Sequence, residues 1–283
     1  MYIDTTSQRS MERSLCTYLN ITSSELYQYI DYASEKATPD KWGFNSEIFN
    51  VELMSIISDL QPEIPIDEIQ LHHLTRRLNT DGENNDGCNL KFLLATETPL
   101  RTFLREHGVE FAEHKGHLLI IHYGSVVSLE DTNQIDVCYL RGRLGYNAGR
   151  EDYCFNGFAM RDLLMKNSYA RELYDGPEFL VVLSRFLRNK KIQKDFFENS
   201  TYFCLNYLLP INSIVFDGHE EMDYAHKCQF LISQVCHRLL IYQNSHPEYM
   251  YDHDNPILRL DDDAIVPASF QYGKEIITLD MLC

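Results

Sequence analysis

Two prolines divide the chain. Gln61-Pro62-Glu63-Ile64-Pro65 cannot continue a helix, because proline supplies no backbone donor and drives the preceding residue out of the helical region. The sixty residues before this block read as helical. Thr22-Ser23-Ser24-Glu25 has the spacing of a capping box and is followed by Leu26, Ile30 and Tyr32. A second helix is expected from Ser46 to Leu60, with Ile48, Val51, Leu53, Met54 and Ile57 available for its buried face.

After the prolines, strands and helices interleave. Strands are expected at Glu68 to Leu74, His117 to Tyr123, Ile135 to Leu140, Tyr153 to Phe158, Tyr202 to Leu209 and Ile211 to Phe216. His117 to Tyr123 is the clearest, a continuous apolar run of the buried kind. Two short strands are expected in the tail, Ala264 to Phe270 and Glu275 to Leu279. Helices are expected at Leu90 to Ala95, Pro99 to His107 (stopped by Gly108), Glu178 to Leu187 and Tyr224 to Tyr242. The order predicts an α+β fold, a split antiparallel or mixed β-sheet core with flanking helices. It divides into an N-terminal helical region, 1–66, and an α+β domain, 67–283.

A net charge of −17 lacks the basic footprint of a general nucleic-acid binder. The eight cysteines are scattered, form no C-x-x-C pair and sit mostly in apolar runs. That pattern predicts reduced, buried thiols and a cytoplasmic setting. Met1 to Leu15 has no signal-peptide pattern, and no apolar run is long enough for a membrane helix. His107, His114, His117, His122, Cys228, Cys236 and His237 lack the spacing of a structural zinc site, so no metal is expected. A nucleotidyltransferase would need a second carboxylate beside Asp136, and no Gly-x-Ser-x-Gly elbow supports a hydrolase.

Leu71-His72-His73-Leu74-Thr75-Arg76-Arg77 delivers a ring, a hydroxyl and guanidinium groups at one strand end. Side chains alternate along a strand, so His73 and Thr75 share a face. An imidazole and a hydroxyl there can hold two ribose hydroxyls, or the histidine can simply bond to backbone. Arg141 to Arg150, with three glycines and three arginines, can cradle a diphosphate or form an ordinary surface loop.

His73-Leu74-Thr75-Arg76 followed by Asn89-Leu90-Lys91-Phe92-Leu93-Leu94 resembles the opening of ADP-ribosyltransferases of the poly(ADP-ribose) polymerase type. Asn156-Gly157-Phe158-Ala159-Met160-Arg161-Asp162 with Asn167-Ser168-Tyr169 is similar to that family's nicotinamide-pocket segment. Ser200-Thr201-Tyr202-Phe203-Cys204 with Leu208, Pro210 and Ile214 resembles its catalytic-glutamate strand. Together the three segments span about half the chain. The resemblance implies NAD as substrate, a protein acceptor and transfer of ADP-ribose. It implies that His73 and Thr75 hold the adenosine ribose. Arg76 or the Arg141 to Arg150 loop would hold the diphosphate, and Asn156, Phe158 and Tyr169 would border the nicotinamide.

The departures fall on the chemistry. The family's glycine after histidine is Leu74, its strand tyrosine is Phe158, or Gly157 if the register slips, and its glutamate is Thr201. A threonine carries no charge to favour the oxocarbenium-like state. Glu178, Glu220, Glu221 and Glu275 are the possible substitutes, and the catalytic set implied is therefore His73, Glu178 and Thr201. The alternative is a non-catalytic protein-interaction module, suggested by the missing glutamate, the acidic balance and the 18 tyrosines.

Overall fold

A computed structural model describes residues 1–38, 43–81, 86–147 and 153–282. In chain order it begins with α1 (Gln8–Leu19), α2 (Ser23–Ala37), α3 (Ser46–Leu60), β1 (Glu68–Leu78), α4 (Leu90–Ala95) and α5 (Pro99–Glu106). Then come β2 (Val109–His114), β3 (His117–His122), β4 (Ser125–Val126), α6 (Ile135–Arg143), β5 (Asn156–Phe158), α7 (Ser168–Glu172) and α8 (Glu178–Phe186). The chain continues through α9 (Lys190–Glu198), β6 (Ser200–Pro210), β7 (Val215–Phe216), α10 (Tyr224–Asn244), β8 (Ile257–Arg259) and β9 (Gln271–Ile276). The fold class is α+β. The larger sheet has the strand order β7-β8-β5-β1-β6-β9, and a smaller one the order β2-β3-β4. Among the described residues, no helix is long and apolar enough to cross a membrane.

The chain forms two compact units, each built from three separate stretches. The first takes Met1–His72, Phe158–Asn167 and Leu208–Leu258, and the second takes His73–Gly157, Ser168–Tyr207 and Arg259–Cys283.

In the first unit, α1, α2 and α3 pack with α10. Local signals set the helix ends. The Thr22 hydroxyl accepts from the Glu25 amide, and the Glu25 carboxylate accepts from the Thr22 amide at 2.7 Å. Asn45 caps α3 through the amides of Glu47 and Ile48. Leu26, Ile30, Phe49, Leu53 and Ile57 are buried. The expected buried face of α3 was rotated: Val51 is 69% exposed and Ile48 lies outside the core, while Phe49 takes the interior position.

The second unit has its own core, in which Leu104, Val109, Ile120, Leu140, Leu183 and Ile192 are sealed from solvent. β2 and β3 form an antiparallel hairpin, pairing Val109 with His122 and His114 with His117. On α9 only Ile192 and Phe196 are buried, an i, i+4 pair on an otherwise polar helix.

Several expectations are corrected. Ile135 to Leu140 is helix and not strand: Val137, Leu140 and Leu144 are buried at helical spacing, and Asp136 and the terminal Arg141 and Arg143 suit the helix dipole. Ile211 to Phe216 is a 3-10 turn at Ile211–Ser213 before the two-residue β7. In the tail, Val266 makes one bridge to Gly87, and Pro267, which has no donor, leads into a 3-10 turn. The tail strand is β9, which starts four residues before Glu275.

Candidate functional site

The sequence-predicted residues of the second unit are best placed from β1 and β6. From His73 to Leu78 burial alternates: Leu74, Arg76 and Leu78 are buried, while His73, Thr75 and Arg77 are partly accessible. A period of two assigns these sets to opposite faces of the strand.

On the first face, the His73 ring lies 4.3 Å from the Phe155 ring, and its Nδ1 stands 2.6 Å from the Asn156 carbonyl oxygen. A carbonyl only accepts, so Nδ1 carries the proton and Nε2 keeps its lone pair in the neutral ring. Burial pushes the His73 pKa down to about 4, against the carbonyl bond that favours the charged form. Phe155 packs edge-on against Tyr207, and a Cβ on Gly87 would come within 2.7 Å of the Phe155 ring. Gly87 therefore permits the close approach that covers His73. Asn156 contributes its backbone to the histidine. Thr201, the position of the missing glutamate, donates its hydroxyl to the Asn79 side chain at 2.8 Å. Asn79 is six residues beyond His73, in the turn that follows β1, with about 17 Å of strand from His73 to Leu78.

On the opposite face Arg76 is 8% exposed, and its fork is committed to the protein. Nη1 donates to the Tyr174 carbonyl at 2.6 Å, and Nη2 to the carbonyls of Phe197 and Ser200. Nε donates to the Ser200 hydroxyl, and the guanidinium stacks 4.4 Å from the Phe197 ring centroid. Arg76 thus pins the start of β6. Tyr202 extends this face, donating to the Ala170 carbonyl; burial raises its pKa, with Cys204 and then Tyr169 adding to the rise. Glu178 is exposed at the first turn of α8 and hydrogen-bonds Tyr139, whose pKa is raised by burial first. Tyr169 also lies in the field of Tyr139. The resemblance's residues are therefore divided, with His73, Thr75 and Thr201 on one face, and Arg76 and the Tyr169–Glu178 neighbourhood on the other. Of the other acids considered, Glu275 lies on β9, opposite Cys204. Glu220 accepts from the Gly218 amide in an exposed loop that also holds Glu221.

Arg141, expected in a diphosphate cradle, donates to the Leu129 carbonyl and stacks 5.0 Å from the Tyr146 ring centroid. Arg150 lies outside the described residues.

The first unit holds what sequence reasoning missed. Phe158, expected to border the nicotinamide, is buried and pairs with His72 in the sheet. The residues after it are clamped from three directions. Thr5 donates to the Ala159 carbonyl at 2.6 Å, and Asn255 exchanges two bonds with the Met160 backbone. Asp162 meets Arg238 at 3.4 Å and accepts from the Tyr242 hydroxyl at 2.9 Å. Arg238 also holds Asp252 at 2.5 Å, so one buried cation faces two buried carboxylates. Burial raises the Asp162 pKa, partly offset by Arg238.

Beside this network, α10 and the segment after it form an open cleft of about 200 Å³. Its lining includes Gln234, His237, Arg238, Tyr249, Tyr251, His253 and Asp254. A second cleft of about 250 Å³ shares Gln234 and Asp254 and adds Asp217 and His219. Phe44 stacks on His237 at 5.2 Å, and burial lowers the His237 pKa despite Asp254 nearby. No sequence motif marks these residues, because Asp162 and Arg238 are 76 positions apart.

Among the described residues, no group of three or more His, Cys, Asp or Glu side chains could hold a metal ion. No protein-family model, curated protein or solved structure matches the chain.

Proposed function

We propose that this chain is a protein-interaction module that recognises a basic partner. The observation that carries the reading is the division of the nucleotide-handling candidates between two faces of β1, with Arg76 committed to backbone carbonyls. Transfer from NAD needs ribose, diphosphate and nicotinamide contacts around one reacting bond. The charge distribution points to the partner. The first unit has 20 acidic and 8 basic residues, a net −12 of the chain's −17. Such a field attracts and orients basic surfaces.

A second reading, an NAD-binding transferase of ADP-ribose to protein, is favoured by His73. Its neutral tautomer leaves Nε2 able to accept from a ribose hydroxyl. Glu178 would supply the carboxylate that Thr201 lacks.

Thermal shift with NAD and an assay of NAD consumption separate the two. The interaction reading expects no NAD stabilisation and no turnover in wild type. Stabilisation in wild type that His73→Ala abolishes would overturn it in favour of the transferase.

A further inference from the structure

We propose that the cleft between α10 and residues 249–254 is a receptor for the lysine and arginine side chains of a basic polypeptide. The inference rests on the interaction reading above and assigns it a site. The walls supply the two things a guanidinium or ammonium requires, aromatic faces and a net negative lining. Tyr249 and Tyr251 line the cleft yet remain 77% and 59% exposed. Their rings stand where a cation entering from solvent could lie against them.

Across the two clefts the lining carries Asp217 and Asp254 against Arg238, a net charge of −1 with the histidines neutral. Asp254 is exposed, lines both clefts, and sits at their junction with Gln234. Arg238 lines the first cleft, and the Asp162 and Asp252 carboxylates that hold it lie behind that lining, leaving the buried triad at −1 when both are ionised. His237 adds no opposing charge at neutral pH, because burial holds it below its usual range. A free anion would meet Asp254 in either cleft and Asp217 in the second. An extended basic chain could place one side chain in each cleft, with Asp254 between them.

The test uses full-length protein and fluorescein-labelled nona-arginine, read by anisotropy at about 150 mM salt. There the screening length is about 8 Å, and the general attraction of an acidic body is reduced. The comparison is between wild type, the double variant Tyr251→Ala/Asp254→Asn, and Asp59→Asn. Asp59→Asn removes the same charge from an exposed position on α3. All altered side chains are exposed, and unchanged melting temperatures would confirm intact folds. The site predicts at least about fivefold weaker binding for the double variant and less than about twofold for Asp59→Asn. If wild type binds and both variants weaken equally, the cleft assignment is overturned while the interaction reading survives. If wild type does not bind the peptide, both fall.

Discussion

Replacing Arg238 with methionine should destabilise the protein by about 3–5 kcal/mol at pH 7, the range for a buried ion group that loses one partner. Arg238, Asp162 and Asp252 have side chains 4%, 1% and 0% exposed. Unit charges about 4 Å apart attract by about 4 kcal/mol at an effective dielectric of 20. Arg238 supplies two such attractions, set against a desolvation cost of several kcal/mol per ion. Without it two carboxylates face each other in the interior, and the cheapest response is proton uptake. Asp162 already has its pKa raised by burial. A folded pKa above the unfolded value near 3.9 means the native state binds more protons there. That contribution is fully present below the unfolded pKa and disappears as pH rises through the folded one. The variant removes the cation that offsets burial at Asp162, so its deficit should shrink steadily between pH 7 and about pH 4.5. Urea denaturation at several pH values measures this, with the midpoint as the readout. Asp162→Asn should change stability by less than about 1 kcal/mol, because it keeps an acceptor for Tyr242 and leaves one arginine with one carboxylate. A deficit below about 1 kcal/mol for Arg238→Met, or one that does not shrink on acidification, would refute the reasoning.

The Arg76 clamp should reject its usual substitute: Arg76→Lys loses the fork and should cost about 1–3 kcal/mol by urea denaturation. Leu183→Ala, at a fully buried position of α8, should cost about 2–5 kcal/mol in the same assay. His73, with its folded pKa near 4, contributes stability above pH 6.5 that is lost as pH falls toward 4. Nitrogen NMR of the ring should show an unchanging Nδ1–H tautomer from pH 8 down to about pH 5. A midpoint near 6.5 would contradict the burial argument. Thr22→Ala should lower stability by about 1 kcal/mol through loss of the α2 cap, seen as a lower urea midpoint.

What the sequence made legible was mostly local. The Thr22 cap, the Gly108 stop and the proline block act within a few residues, so α2, α3 and α5 were readable. The strand at 117–122 announced itself by continuous apolar character. Ile135 to Leu140 misled because Ile135, Val137 and Tyr139 alternate with polar residues, while the deciding Leu144 lies one turn further on. The polar face of α9 and the glutamates of β2 hid short elements that bury only a few side chains each. For the site, the period of two already separates Arg76 from His73 and Thr75. The Asp162–Arg238–Asp252 triad and the cleft beside it depend on chain-distant packing that no local spacing encodes.

The weaving of the chain through two units bears on how it can be made. The first unit needs residues from both ends of a span reaching Leu258. As the polypeptide leaves the ribosome, α1, α2 and α3 emerge early, yet α10, their packing partner, arrives some 160 residues later. At about 5–20 residues per second, their apolar faces wait on the order of 10–30 seconds for cover. Nascent chains stalled before Tyr224 should therefore be protease-sensitive in this region and favoured by hydrophobic chaperones, and those extended past Leu258 should not.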